Sequence, residues 1–364
     1  MYADGTSLRP VDEEGGPKMR APNRSGGVWK VALFTALFMT FLLYIPSPYV
    51  VYEPGLVEPV TEMVQVAESD DPGSGQFMLT TVKMTYANFF MTFRSLWDSD
   101  VMLLNKKDVL GGRSEGEYVE RLVYVMQNSQ SNAIEAAYRI VHIPYSVEPQ
   151  QLVVIDVNDK RDSPFRAGDA LISVNGTRFK DAIELVDILN KSKTGERLKW
   201  TIQRGGQITR VDTSLKQQPA DPDGGDLPQA MGGVVLAEIS KVVPRDSENS
   251  VTITAGEIGG PSAGLIFALQ TIDYLTPGDL THGIRIAGTG TITPDGKVGP
   301  IGGIALKVRA ADRTGAQLFL APRENYEEAR RKAAAIGSAM RVEPIGTLAE
   351  ALEVLTAADG EAAA

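Results

Sequence analysis

Cysteine is absent from the chain and histidine nearly so: 364 residues contain only His142 and His282. Without thiols there are no disulfides and no thiolate metal sites, a composition compatible with residence outside the reducing cytosol. The two histidines lie far apart and no H-E-x-x-H pattern exists, which argues against a zinc hydrolase, and no metal is expected. Positive charge is in deficit as well. Lys and Arg number 36 against 46 Asp and Glu, a net charge of −10, so nucleic acid is not an expected partner, because phosphate neutralisation needs clustered cations. No G-x-x-x-x-G-K-[ST] occurs anywhere, so ATP-fuelled work is not supported and no cofactor is indicated. What remains, 43% hydrophobic and 23% charged, is ordinary for folded protein and long enough for two domains with extras.

One long run lacks charge altogether. "VALFTALFMTFLLYIPSPYVV" (31–51) would span roughly 30 Å as a helix, about one hydrocarbon core. Pro46 and Pro48 are expected to end that helix near the far interface, with Trp29 on one side and Tyr44, Tyr49 and Tyr52 on the other as aromatic belts. Lys18, Arg20, Arg24 and Lys30 precede the run, while Glu53, Glu58, Glu62, Glu68, Asp70 and Asp71 follow it before any Lys or Arg. The positive-inside rule then makes 1–27 a cytoplasmic tail, 28–50 a single-pass anchor in the cell membrane, and the rest extracytoplasmic. A cleaved signal peptide has a similar charge layout, but no A-x-A-like site follows Ile45. A buried core helix is seldom this apolar all round.

Residues 51–139 form an extracytoplasmic N-terminal region that is hard to read. "GQFMLTTVKMTYANFF" (75–90) alternates like a strand, and 116–140 has helical spacing at Val119, Leu122, Val123, Met126, Ala133 and Ala137. From 140 to 214 come a strand at Leu152–Val157, turns at Ser163-Pro164 and Gly168-Asp169, and a strand at Ala170–Val174. An Asn175-Gly176 hairpin turn, a helix over Asp181–Asn190 and a strand at Leu198–Gln203 follow. This order, with "SPFRAGDALISVNG", resembles a mostly β PDZ domain of the bacterial protease-associated type. The resemblance implies capture of an extended peptide by strand addition. No GLGF-like carboxylate loop is recognisable upstream, near "VHIPYSVEPQ". Residues 215–231, rich in Pro, Gly and Asp, read as a linker.

Beyond it, "VVLAEIS" (234–240) and "VTITAGEI" (251–258) look like strands, and the second leads into Gly259-Gly260-Pro261-Ser262-Ala263-Gly264. An apolar helix over 265–275 follows. A serine at such a strand-to-helix junction is either a nucleophile beside free N–H groups or a plain helix N-cap, and this stretch alone leaves both open. A second glycine-rich passage, "RIAGTGTITPDGKVGPIGGIALKVRAADRTGAQ" (285–317), gives a strand, a hairpin at Pro294-Asp295-Gly296 and a helix with Lys307 in its first turn or two. A lone lysine there would ordinarily be a solvated surface residue; its pairing with "GGPSAG" is what singles it out. Lys297 sits in the hairpin and is the weaker candidate, and His282, in "PGDLTHG", reads as surface.

Residues 232–357 resemble the proteolytic domain of the Lon proteases, of mixed α/β (α+β) fold, on the strength of "GGPSAG", "GTGTITPDGKVGPIGG" and "GGIALKVRAA". With "YEPG", "FMLTTV" and "SQSNAIEAAYR", the whole chain resembles the membrane-anchored, PDZ-containing Lon-like proteases of Gram-positive bacteria, closing with a short tail over 358–364. The resemblance implies a Ser–Lys dyad with Ser262 as nucleophile, Lys307 as general base and Thr289 helping to position the lysine. It also implies an ATP-independent serine endopeptidase acting on extracytoplasmic proteins, with the PDZ domain recruiting or gating substrate, membrane lipid around the anchor, and a homo-oligomeric ring by family analogy. The alternative is a catalytically weak PDZ scaffold at the membrane. For the dyad to work, burial has to lower the lysine pKa from near 10.4, since a protonated amine accepts nothing.

Overall fold

The computed structural model describes residues 25–68, 73–158, 163–256 and 258–362. Most of the expected cytoplasmic tail, including Lys18, Arg20 and Arg24, lies outside the described residues, as do Asp70, Asp71 and the last two residues of the C-terminal tail.

The apolar run forms helix α1 (Ser25–Tyr44), whose Gly27–Tyr44 window has a mean hydropathy of 1.6 and no buried residue. It is long and apolar enough to cross a membrane. It ends just ahead of Pro46, as expected of the prolines, and short of the 28–50 bounds expected for the anchor. Proline disfavours helical backbone in the residue before it and has no N–H to donate, so the helix stops ahead of Pro46. The Asn88 side-chain amide donates to the Leu43 carbonyl (2.8 Å), which satisfies one of the acceptors left over at the helix end. The rest of the expected span belongs to strand β1 (Pro46–Pro59), with Val50 and Val51 in the protein core.

A short strand β2 (Val64–Val66) precedes β3 (Gln76–Asn88), which pairs antiparallel with β1 from Pro46↔Asn88 to Pro59↔Met78. Helix α2 (Phe89–Arg94) is capped by Asn88, and β4 (Met102–Asn105) flanks the other side of β1 at Tyr49–Tyr52. Helix α3 (Lys106–Leu110) ends on left-handed Gly111, and a Ser114–Glu117 capping box opens α4 (Glu115–Ile140). The buried face of α4 carries Met126, Ser129, Ala133, Ala136 and Ala137, the spacing of one helix stripe.

The 140–214 segment folds as a separate sheet, β5 (Tyr145–Val157), β6 (Ala170–Val174), β7 (Thr177–Arg178), β8 (Arg197–Arg204) and β9 (Gln207–Ser214), with helix α5 (Ala182–Leu189) on it. Asn175 and Gly176 both have positive φ, as a two-residue hairpin turn between β6 and β7 requires. The expected linker is not a bare connector. Leu215, Leu227, Ala230 and Met231 are buried in this domain's core, the last three on or beside helix α6 (Leu227–Ala230). Strand β10 (Val234–Pro244), expected to open the next domain, pairs with β5 from Val234↔Val157 to Pro244↔Tyr145 and closes this one. So few apolar residues among Pro, Gly and Asp leave no periodic pattern to read, yet each of those four is inside.

After it, β11 (Val251–Ile253) returns to pair with β2, and α7 (Gly264–Leu275) is buried from Gly264 to Tyr274. Strand β12 (Arg285–Gly288) leads to the hairpin β13 (Thr291–Ile292) and β14 (Val298–Gly299), then α8 (Ile304–Arg313) and β15 (Leu318–Pro322). Helix α9 (Tyr326–Ala335), β16 (Arg341–Ile345) and α10 (Leu348–Ala362) complete the chain.

The larger sheet runs β16-β15-β12-β3-β1-β4. Three of its strands come from before the smaller domain and three from after it, joined where β12 lies parallel to β3 from Arg285↔Gln76 to Gly288↔Leu79. Residues 51–139 therefore do not form a region of their own: their strands complete the sheet of the 232–357 unit. The smaller domain is an insertion whose two ends meet, since Tyr145 faces Pro244 and Arg245 N–H donates to the Pro144 carbonyl (2.8 Å).

That geometry predicts two outcomes. Replacing 146–243 by an Asn-Gly turn should leave the larger body folding cooperatively, by circular dichroism melting and gel filtration. Deleting 140–215 should instead give aggregated protein, because β10 then loses its partner while Leu227 and Met231 lose their core.

Candidate active site

The chain reaches Ser262 through a turn that only glycine tolerates at two points. Gly260 has φ of 91°, in the left-handed region. At Gly264 a Cβ would sit 2.7 Å from Ile292 Cγ2 and 2.8 Å from Ser129 Oγ, so any side chain would displace the turn. Ser262 lies in a 3-10 turn, Pro261–Ala263, and the N-cap position of α7 is Ala263, with no side-chain capping bond. The N-cap reading of Ser262 is thereby removed.

Its hydroxyl instead faces Lys307. The Lys307 amine donates to Ser262 Oγ at 3.0 Å and to the Thr80 carbonyl at 2.5 Å. Lys307 sits in the first turn of α8, which starts from left-handed Gly303; the side chain points inward and is 2% exposed. Burial pushes its pKa down from 10.5 to about 7, because an ammonium loses hydration there and both acceptors shown are neutral oxygens. A large fraction of this lysine is therefore a free base near neutral pH.

Thr289 is placed differently from expectation. Its hydroxyl donates to the Ser262 carbonyl (3.0 Å), which also accepts the Gly290 N–H (2.8 Å). It holds the serine's backbone, while the lysine amine is held by Thr80. Thr80, in "FMLTTV", acts through its main chain, so no residue type in the sequence marked it. The turn has further supports from α4: Ser129 Oγ donates to the Pro261 carbonyl (3.0 Å), and the Leu122 carbonyl accepts the Gly260 N–H (3.2 Å). Polar Ser129 on an otherwise apolar helix stripe was a usable signal. The N–H groups of Ser262 and Ala263 stand at the open start of α7, where the helix dipole is positive.

Lys297 lies away from the cleft, exposed in the β13–β14 hairpin and paired with Asp295 (2.9 Å). His282 occupies a turn with φ of 49° and His142 one with φ of 59°; neither lines the cleft. Among the described residues, no group of three or more His, Cys, Asp or Glu side chains converges as metal ligands.

Ser262 and Lys307 open on a cleft of about 830 Å³. Its walls are mostly apolar, with Leu56, Leu79, Val82 and Met102 from the N-terminal strands, Leu122 from α4 and Ile258 before the turn. Tyr52 and Tyr118 hydrogen-bond to each other in the wall, and burial holds the Tyr52 phenol well above its ordinary pKa, so it stays neutral.

Residues 227–358 match the Lon protease (S16) C-terminal proteolytic domain, and residues 125–215 match the PDZ domain family. A Lon protease of Solibacter usitatus is 29% identical over 228 residues, 56% of this chain and 27% of that protein. A Lon protease of Desulfosudis oleivorans is 36% identical over 193 residues, 46% of this chain and 23% of that protein. The chain thus spans about a quarter of the length of these relatives. The PDZ domain of an SdrC-like protein from Listeria monocytogenes aligns at 20% identity and a TM-score of 0.19, over 24% of this chain and 86% of that one.

The buried amine has a signature in stability. Its folded pKa lies below the unfolded one, so between about pH 7 and pH 10 the unfolded chain binds more protons and stability rises with pH. Measured against Lys307→Met, which lacks the titration, the wild type should gain stability across that window and run parallel below pH 7. Denaturant unfolding at several pH values checks it; a constant difference throughout would mean an ordinary lysine pKa.

Proposed function

With a Lon-type proteolytic domain and a PDZ domain as the premise, we propose that the chain is an ATP-independent serine endopeptidase working through a Ser262–Lys307 dyad. The observation that carries this reading is the 3.0 Å bond between Ser262 Oγ and a lysine whose pKa burial lowers to about 7. Neutral Lys307 takes the hydroxyl proton as Ser262 Oγ attacks the substrate carbonyl. The N–H groups at the start of α7 stabilise the oxyanion, and the tetrahedral species collapses as Lys307 returns its proton to the leaving amine. Water, deprotonated by the same amine, then hydrolyses the ester on Ser262. Thr80 is the positioning group for the amine, and Thr289 for the serine backbone.

The helix α1 holds the enzyme in the cell membrane as a single-pass anchor, with the N-terminus cytoplasmic because of the Lys and Arg preceding it and the catalytic body extracytoplasmic. Extracytoplasmic proteins are the substrates. The PDZ domain recruits them on the free edge of β10, next to α5, where the Glu238 carboxylate already accepts the Ala182 N–H (3.3 Å). That edge follows Gly232 and Gly233, both with positive φ, so the glycine turn absent upstream stands at the far end of the domain.

Labelling with a fluorophosphonate probe tests the dyad. Ser262 should label with a rate that rises through about pH 7 as Lys307 loses its proton. Lys307→Arg should abolish labelling, because a guanidinium stays protonated, while Lys297→Ala and His282→Ala should label normally. Absence of labelling at every pH would leave the scaffold as the function.

A further inference from the structure

Helix α2 buries none of its six residues although three are phenylalanine. Phe90, Phe93, Leu96 and Trp97 are all exposed, Trp97 by 71%, and Phe93 and Trp97 pack edge to face at 4.6 Å. Folded proteins rarely leave such a contiguous patch in water; it marks a surface with a partner. The patch is continuous with the membrane helix. Phe89 of α2 stacks on Phe41 in the last turn of α1, with ring centroids 5.0 Å apart, and Asn88 binds the Leu43 carbonyl. The short helix therefore lies at the level where α1 ends, beside Tyr44, and its ring-bearing side faces the same medium. At the edge of the patch, one turn after Phe90, Arg94 pairs with Asp98 (3.3 Å).

We infer that α2 and the following Leu96-Trp97 segment lie in the interfacial layer of the lipid bilayer, as a second membrane contact that docks the catalytic body onto the surface. This rests on the reading of α1 as a membrane anchor. Aromatic rings with apolar neighbours are what the headgroup boundary takes up, and Trp and Phe on a short helix parallel to it are the usual occupants. The contact is rigidly joined to the site. Three residues past Trp97, the Asp100 carboxylate accepts from Arg309 (2.9 Å) and Arg313 (2.9 Å) on α8, and from Lys332 (2.8 Å) on α9. Helix α8 is the one that carries Lys307. A bilayer seated against α2 thereby fixes the body that holds the dyad, where α1 alone would let it swing.

The chain has no native cysteine, so single-cysteine labelling of the full-length protein is clean. Variants Leu37→Cys, Phe93→Cys, Trp97→Cys and Lys180→Cys, each carrying an environment-sensitive fluorophore, are reconstituted in phosphatidylglycerol–phosphatidylethanolamine vesicles containing nitroxide lipids. All four positions are exposed in the protein, so the folded core is untouched. Position 37 should lose fluorescence to deep nitroxides and position 180 to none. Positions 93 and 97 should lose it to shallow nitroxides, with blue-shifted emission. Quenching at 37 with none at 93 and 97 would overturn the docking and leave the anchor standing. No quenching at 37 would sink the anchor and the docking with it. Energy transfer between labelled copies at 93 or 97, without lipid quenching, would make the patch a contact between protomers.

Discussion

The site depends on one amine buried where it has neutral oxygens to bond to. Lys307 reaches the Thr80 carbonyl and the Ser262 hydroxyl. Each is satisfied by donation, and neither offers the negative charge that would hold the amine protonated. The arrangement needs three segments at once: β3 for Thr80, the glycine turn for Ser262, and the first turn of α8 for Lys307. The parallel pairing of β3 with β12, across about two hundred residues, brings the first of these to the other two. The larger sheet can thus be understood as the frame that keeps a free base dry.

This explains what the sequence does and does not disclose. Ser262 and Lys307 were singled out by glycine-rich junctions ahead of helices, local patterns with a backbone reason at Gly260, Gly264 and Gly303. Those junctions left the N-cap and surface-lysine readings open, and the expected roles came from the family resemblance. The helix and turns of the 140–214 unit were legible from local patterns of the same kind. The membership of 51–139 in the catalytic body was not, since a parallel strand pairing at long separation leaves no trace in either strand. Thr80 was hidden because its carbonyl is the functional atom. Thr289 was pointed at the right turn but the wrong partner, because a hydroxyl's acceptor is decided by packing. At the anchor, the apolar count alone ran past Tyr44, whereas Pro46 had already ended the helix and β1 had begun.

The two domains meet along α4. Near its start Arg113 pairs with Asp156 of the insertion, and Tyr124 donates to the Gly168 carbonyl (3.3 Å). Either side of Tyr124, Ser129 supports Pro261 and Leu122 both lines the cleft and accepts the Gly260 N–H. Further along, Ser131 donates to the Ser240 carbonyl of β10 (2.8 Å). A single helix therefore touches the PDZ domain and the turn bearing the serine within a few turns of each other.

Strand β1 has a consequence of a different kind. It leaves the end of α1 at Pro46 and is already part of the cleft wall at Tyr52. At about 3.3 Å per residue, that stretch amounts to roughly 23 Å at most. In a chain held by α1, this wall of the cleft can stand no higher than that above the bilayer, so the strand acts as a ruler. A polypeptide rooted in the same membrane has to pay out about seven extended residues to reach the cleft at that height. Stubs much shorter than this stay out of reach, whatever their sequence.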